Sequence, residues 1–267
     1  MSKPKTIFKY QDLSNHSLIN LKKHALYMAS PVQFNDPYDC ALSYELNDYN
    51  DVEIENIKKI LIEGEESEQK RLILKNLTHE EFRNALKKGA FTAINTLKEN
   101  FLNKYGVCCF SEINTNLLMW AHYCNGCRGF CLEFLTEYEP FNKFYKVNYV
   151  SSFPKIDFLT NLFTNNASVL IELFCTKSKI WEYEKEWRVI HTQAGTEYHY
   201  APECLKAIYF GPKIDENYKE IICLILQGQN PTVELWDGSL SDDGFNIQFK
   251  QFNYFSYIQA KELGLLE

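Results

Sequence analysis

"GVCCFSEINTNLLMWAHYCNGCRGFCLEF", Gly106 to Phe134, packs an extended run, a helix, a glycine turn and a second extended run into one short stretch. "GVCCFSE" is an apolar run of strand length and reads as a buried strand. "NTNLLMWAHY" has helical character, "NGCRG" is a turn by composition, and "GFCLEF" reads as a strand. The strands and helices of the whole chain follow one another without regular βαβ alternation. They predict an α+β protein around a mixed or antiparallel sheet.

Working outward strengthens that reading. Toward the C-terminus come the strand "FYKVNYV", a helix over residues 157–175, and the strand "EWRVIH". The strand "KAIYF", a Gly-Pro turn, the helix "DENYKEIICLILQG" and the strands "TVELW" and "NIQFK" follow. Toward the N-terminus, "TIFKY" alternates, with Phe8 and Tyr10 on one face and Lys9 on the other. "SLINLKKH" is a short helix for which Ser14 is a candidate cap. "ALYMASP" reads as a strand ending at Pro31, and "QFNDPYDC" as a turn in which Pro37 forces Asp36 out of the helical region.

Residues 50–104 change character. Ile54, Ile57 and Leu61 recur at helical spacing, as do Phe82, Leu86, Ala90, Ile94, Leu97 and Phe101, and Thr78 with Glu81 forms a capping box. This is a helical insert of two or three helices within a single domain spanning 1–267.

Composition bounds the function. The chain has 267 residues, 15% of them aromatic, which suits sheets and a ring-lined pocket. A net charge of −7 removes the case for nucleic-acid binding by bulk charge. No run approaches the ~18 apolar residues of a membrane span. The N-terminal "MSKPKTIFKYQDL" lacks the apolar core of a signal peptide. Nine cysteines without framework spacing suit a reducing compartment, so a cytoplasmic location is expected.

Three segments concentrate candidate chemistry. In "KIWEYEKEWRVIH", Lys179 to His191, an extended backbone would project Glu184, Glu186 and Arg188 from one face while Trp187 and Val189 turn to the core. Two buried carboxylates in such a pair repel, which raises one pKa or calls for a cation between them, and Arg188 is placed for that. The same residues also read as a self-neutralising solvated face. In "FNDPYD", Asn35, Asp36 and Asp39 converge on a proline-fixed turn, as binding groups or as backbone caps. In the third segment Ser111 ends a strand ahead of a helix, an anion site or a simple cap. Cys124 and Cys127 form a CxxC near His122 and Cys131, but zinc needs a second pair that the chain lacks. No P-loop, dinucleotide, nucleophile-elbow or zincin motif occurs.

"FKYQDL", "LYMASPVQFNDPYDC", "CFSEINTNLLMWAHY", "GFCLEF", "WEYEKEWRV" and "IYFGP", in this order, resemble the bacterial domain-of-unknown-function family 2971. More loosely, the order of parts resembles the ADP-ribosyltransferase superfamily. That resemblance implies an NAD-consuming transferase, a toxin or antiviral defence effector, that modifies an unidentified macromolecular acceptor, protein or nucleic acid. It implies an early strand supplying Lys9 and Tyr10, a middle serine at Ser30 or Ser111, and Glu184-x-Glu186 as the catalytic pair. Glu186 would stabilise the oxocarbenium-like ribose, and Glu184 would orient or deprotonate the acceptor. Tyr10 or Trp120 would stack on nicotinamide, Lys9 and Arg128 would meet the pyrophosphate, and Asn35 and Asp36 would contact ribose. His122 completes the expected NAD-binding set, and no metal is expected. Two other readings stand beside this one: a non-catalytic module binding a nucleotide or a partner, and a metal-dependent nuclease or phosphoesterase using Asp36, Asp39, Glu112 and Glu186.

Overall fold

The computed structural model describes residues 3–41, 43–45, 49–157 and 167–265. Strand β1 (Thr6–Gln11) leads to helix α1 (Asn15–Lys22), whose first turn is capped by the Ser14 hydroxyl accepting from Ser17 N–H. Strand β2 (Ala25–Met28) ends earlier than expected, because Ser30 and Pro31 start a 3₁₀ turn over Pro31–Gln33. After β3 (Ser43–Glu45) come the three insert helices, α2 (Asp51–Gly64), α3 (Glu68–Asn76) and α4 (His79–Lys104). The decisive stretch resolves into β4 (Gly106–Ser111), α5 (Leu117–Tyr123) and β5 (Phe130–Leu135).

The expected single strand "FYKVNYV" divides into β6 (Tyr145–Lys146) and β7 (Asn148–Val150), since Val147 turns its N–H to the Glu186 carbonyl. Strand β8 (Lys155–Asp157) takes the start of the helix expected over 157–175. Its observed part is Ala167–Phe174, and 158–166 lie outside the described residues. Then follow β9 (Thr176–Ser178), β10 (Glu186–His191), β11 (Thr196–His199) and β12 (Leu205–Phe210). The helix Glu216–Gln229, β13 (Glu234–Leu240), β14 (Ile247–Phe252) and the helix Tyr257–Glu262 complete the chain.

Eight strands form one sheet in the order β14-β13-β12-β5-β1-β4-β10-β6, antiparallel except for the β12–β13 pair. This is the expected α+β arrangement with a mixed sheet. Alternation along each strand sorts its two faces. One face carries Ile7, Cys108, Phe110, Leu132, Phe134, Trp187, Val189, Ile208 and Phe210, covered by α1 and the helix Glu216–Gln229. The other carries Tyr10, Cys131, Ala207 and Tyr209 under α5, where Trp120 is fully buried. On that second face, β4 and β10 present Ser111, Glu186 and Arg188 instead of apolar groups.

The insert has a small core of its own, Ile54, Ile57 and Phe82. Both halves of the Thr78–Glu81 capping box form, and Lys58 closes the end of α3 by donating to the Lys75 and Leu77 carbonyls. The insert joins the sheet through the last turn of α4, where Phe101 and Leu102 pack with Tyr105, Leu173 and Phe174. The Ser30 hydroxyl donates to the Leu102 carbonyl at the same seam.

One feature of the register positions the site. Strand β1 pairs with β5 along its whole length, and β4 with β10 along its whole length. Between β1 and β4 only Phe8 and Ser111 pair. At its other end β4 is met by the residue after β2, where Ala29 and Val107 exchange backbone hydrogen bonds. The sheet is therefore split beside Cys108, Cys109 and Phe110, and the split is a cavity.

Candidate functional site

The cavity has a volume of about 280 Å³. It is lined from the first strand by Lys9 and Tyr10, from β4 by Ser111, and from the segment around β10 by Glu184 and Glu186. Asn35, Asp39, Tyr123 and Lys177 complete the charged end. The order β1-β4-β10 thus brings groups from three distant parts of the sequence to one opening.

Glu184 and Glu186 converge, although not through the extended backbone expected of them. Lys179–Glu184 is a 3₁₀ helix, and Lys185 takes a left-handed conformation (φ 46°) before β10 begins. The reversal at Lys185 leaves its two neighbours 2% and 4% exposed, both within reach of Lys177. Lys177 Nζ lies 2.5 Å from Glu184 Oε2, 3.2 Å from Glu186 Oε2 and 3.6 Å from Asp39 Oδ2.

Arg188, expected as the cation between the two glutamates, bonds only Glu186 of the pair, and Lys177 takes the place between them; all the donors of Arg188 are engaged. Its Nε and Nη2 donate to the two Glu186 oxygens at 2.7 and 3.0 Å. Nη1 and Nη2 donate to the two Asp39 oxygens, each at 2.8 Å. Nη1 also donates to the Phe174 carbonyl at 2.8 Å. A guanidinium has five N–H groups in a planar fork, and here each has an acceptor. Arg188 is fully buried, so it orders carboxylates and has no donor left for a ligand.

Asp39 reaches Arg188 because of the FNDP turn. Asp36 Oδ1 accepts from Tyr38 N–H at 2.9 Å, a side-chain turn that Pro37 stiffens, and the chain then swings Asp39 inward. Glu184 has its other oxygen on the Tyr123 hydroxyl, which donates at 2.6 Å, and Asn35 bonds that same hydroxyl. Ser111 donates to the Glu184 carbonyl at 2.6 Å, pinning the end of the 3₁₀ helix, and accepts from Ile113 N–H. Its hydroxyl is thus used by the protein at the cavity wall. Tyr149 accepts from Glu186 N–H at 2.8 Å.

The two carboxylates are driven apart in ionisation. Burial alone would raise Glu186, but the charges of Arg188 and Lys177 outweigh it and hold the group at about 2. For Glu184 burial prevails over the pull of Lys177, and the neighbouring Glu186 charge adds to it, so its pKa lies above the ordinary value. Lys177 is moved the other way from its own burial by Glu186, Glu184 and Asp39, and stays charged. Three acids, Asp39, Glu184 and Glu186, face two cations, Lys177 and Arg188. Across the split Lys9 donates to the Cys109 carbonyl at 3.5 Å, over the ring of Phe110. The cavity is anionic at β10 and cationic at β1.

Of the residues expected to bind NAD, the cavity gathers Lys9, Tyr10, Asn35 and Ser111 beside the glutamates. It does not gather Ser30, Asp36, Trp120, His122 or Arg128. Ser30 caps the 3₁₀ turn and bonds α4. Asp36 is committed to its turn, and its Oδ2 is buried with no partner among the described residues. Trp120 is sealed under α5 with its indole N–H on the Asn114 carbonyl, so it has no free ring face for nicotinamide. His122 and Arg128 are exposed, with Arg128 donating to the Asn125 carbonyl in its own turn. Tyr10 lies edge-on to Trp120 and donates to the Ile113 carbonyl.

The acids of the metal-dependent reading are held separately: Arg188 bridges Asp39 and Glu186, while Glu112 accepts from Lys146 and from the Trp187 indole. Among the described residues no group of three or more His, Cys, Asp or Glu is arranged to hold a metal ion, the CxxC included. No described helix is long and apolar enough to cross a membrane.

Lys177 and Tyr123 escaped the sequence reading. Lys177 directly follows the buried run Leu173–Thr176, and a lysine continuing such a run is a signal for an inward-facing cation. Neither the curated proteins nor the solved structures compared with the chain give a match. Residues 119–189, which carry Tyr123, Lys177, Glu184, Glu186 and Arg188, match the family of proteins of unknown function DUF2971.

Proposed function

We propose that the chain is an NAD-consuming enzyme of ADP-ribosyltransferase type whose reaction takes place in the split between β1 and β4. The observation that carries this reading is the pair of neighbouring carboxylates, both lining the cavity, whose pKa values their surroundings push in opposite directions. Divergent pKa values in neighbouring acids divide the roles of charge stabiliser and proton acceptor. Glu186 keeps its charge across the physiological range and suits the first role. Glu184 suits the second.

In the proposed reaction the bond between C1′ of the ribose and the nicotinamide nitrogen breaks. Nicotinamide leaves with the electron pair, and C1′ acquires oxocarbenium character. The Glu186 charge favours that cation over the ground state. A nucleophile on the acceptor then bonds C1′, and its proton passes to Glu184. Lys9, at the opposite end, is placed for the anionic diphosphate.

The test compares wild type with Glu186→Gln, measuring nicotinamide released from NAD alongside NAD binding. Release by the wild type, strongly reduced in a variant of unchanged melting temperature, supports the reading. Absence of both binding and release overturns it. One observation favours a second reading, a pocket that binds without turnover: both Glu186 oxygens are already held by Arg188 and Lys177. Saturable NAD binding by both proteins, with no release even when candidate acceptors are added, selects that reading.

A further inference from the structure

The cavity does not end at the strand split. Beyond Lys9 and Gln11 its wall is made by α1 and β2: His16 and Asn20 on one side, Ala25, Tyr27 and Ala29 on the other. His16 and Asn20 are four residues apart and so share a face of α1. The His16 ring stands edge-on to Tyr27, with centroids 5.0 Å apart.

Asn20 is the unusual member. It is 7% exposed, and its Oδ1 is buried with no donor among the described residues. Its polar neighbours Ser14 and Ser17 are engaged: Ser14 caps the helix, and the Ser17 hydroxyl lies within hydrogen-bonding distance of Gln11 Oε1 and Asp12 Oδ1. A buried carboxamide oxygen without a partner is uncommon because it forgoes water and gains nothing in return. Asn20 is one of the residues lining the cavity, which supplies a reason for the retention of its carboxamide.

We propose that Asn20 reads a planar ligand group presenting a hydrogen-bond donor beside an acceptor, with the His16–Tyr27 pair as the side wall of that subsite. A primary carboxamide offers one acceptor oxygen and two N–H donors, so it pairs two-fold with an adenine edge or with another carboxamide. This subsite rests on the NAD reading, since NAD carries both groups: the adenine at one end and the nicotinamide carboxamide at the other. It lies across the split from Glu184 and Glu186, and is made by residues before the matched 119–189 segment.

The experiment measures binding of NAD, ADP-ribose and nicotinamide mononucleotide by calorimetry, to wild type, Asn20→Leu and His16→Ala. Leucine keeps the bulk of Asn20 and removes the orphaned acceptor, so the variant should melt no lower than wild type. NAD binding should weaken at least tenfold in Asn20→Leu and by less in His16→Ala, whose imidazole is exposed. If ADP-ribose shares the loss and nicotinamide mononucleotide does not, the group read is adenine, and the converse assigns the carboxamide. Equal NAD binding by wild type and a folded Asn20→Leu overturns the subsite and leaves the NAD reading standing. Failure of the wild type to bind any of the three overturns the reading itself, and the subsite with it. Should Asn20→Leu fail to fold, Asn20→Ser applies the same criteria with a smaller side chain.

Discussion

Two ion networks in this molecule use the same chemical groups in opposite surroundings. On the insert, Arg83, His79, Asp51 and Glu55 pair across α2 and α4 with side chains 35–69% exposed. At the split sheet, Asp39, Lys177, Glu184, Glu186 and Arg188 pair with side chains 0–5% exposed. Water and salt can replace either partner in the first network, so its members are nearly interchangeable. In the second no water replaces a lost partner, and each member is held to its position by the charges left behind if it goes. "Self-neutralising" describes both networks, but only in the buried one are the members closed off from solvent, and there the pKa values of Glu184 and Glu186 move in opposite directions.

Removing a cation from each network exposes that difference most strongly. Arg188→Met leaves Asp39 and Glu186 buried without their shared fork and should destabilise by about 3–5 kcal/mol in urea unfolding. Arg83→Met should leave the unfolding midpoint unchanged, and added salt should separate the two proteins no further. An Arg188→Met protein as stable as wild type would mean that the cluster relaxes to admit water, and the contrast would collapse. Trp187→Ala, on the same strand but facing the apolar side, should cost a similar ~3–5 kcal/mol through lost burial, the cavity left behind and the lost indole bond to Glu112.

Within the buried network the comparison sharpens between its two glutamates. Under the proposed chemistry Glu184 must be ionised to take a proton. Because its pKa is raised, turnover should increase with pH through a value above that of an ordinary glutamate. Glu184→Gln keeps an acceptor for Tyr123 and should fold, yet lower turnover by about 10²–10³-fold and abolish that ascending limb. A variant that retains the limb would assign it to another group.

Stability should report Glu186 in the opposite direction. Its folded pKa of about 2 lies below its unfolded value, so its contribution is complete above the unfolded value and is lost as pH falls toward 2. The raised Glu184 opposes this: its contribution is present at low pH and is lost as pH rises through its folded value. Unfolding followed from pH 6 to 2 should therefore lose stability chiefly through Glu186. Glu184→Gln should steepen the remaining dependence at low pH only slightly.

How legible this site was in the sequence depends on which force decided each part. The strands were readable because apolar runs such as Gly106–Ser111 and Phe130–Leu135 follow from burial, and the capping boxes because their geometry is local. The glutamate pair and Arg188 were readable as a group because they are close in sequence. Lys177 was not, since it joins the group from β9, whose partner is β7, and no local pattern encodes that placement; Asp39 was legible as a candidate in its FNDP turn, but its long-range meeting with Arg188 was not. The same is true of Ser30, which looked like a site residue beside its strand and instead fastens α4. Trp120 was misjudged because an aromatic at helical spacing reads equally as pocket lining and as core, and packing beneath α5 decided for core. The split itself arises from a single pair between β1 and β4, a matter of register beyond the reach of composition.

Lys185 gives the smallest test and bears on how the pair is built. A lysine at φ 46° carries a steric cost of about 1 kcal/mol that glycine would not, against glycine's greater unfolded-chain entropy of similar size. Lys185→Gly should consequently change the unfolding midpoint little. What it should change is the rigidity with which Glu184 is presented, since the turn would gain freedom between the 3₁₀ helix and β10. If the left-handed residue exists to fix Glu184 against Lys177 and Tyr123, the glycine variant should keep its stability while its ascending pH limb moves toward the ordinary glutamate value. A limb that stays in place would show that the hydrogen bonds from Tyr123 and Lys177, with Ser111 holding the Glu184 carbonyl, suffice to hold the carboxylate, and that the backbone at Lys185 merely permits the turn.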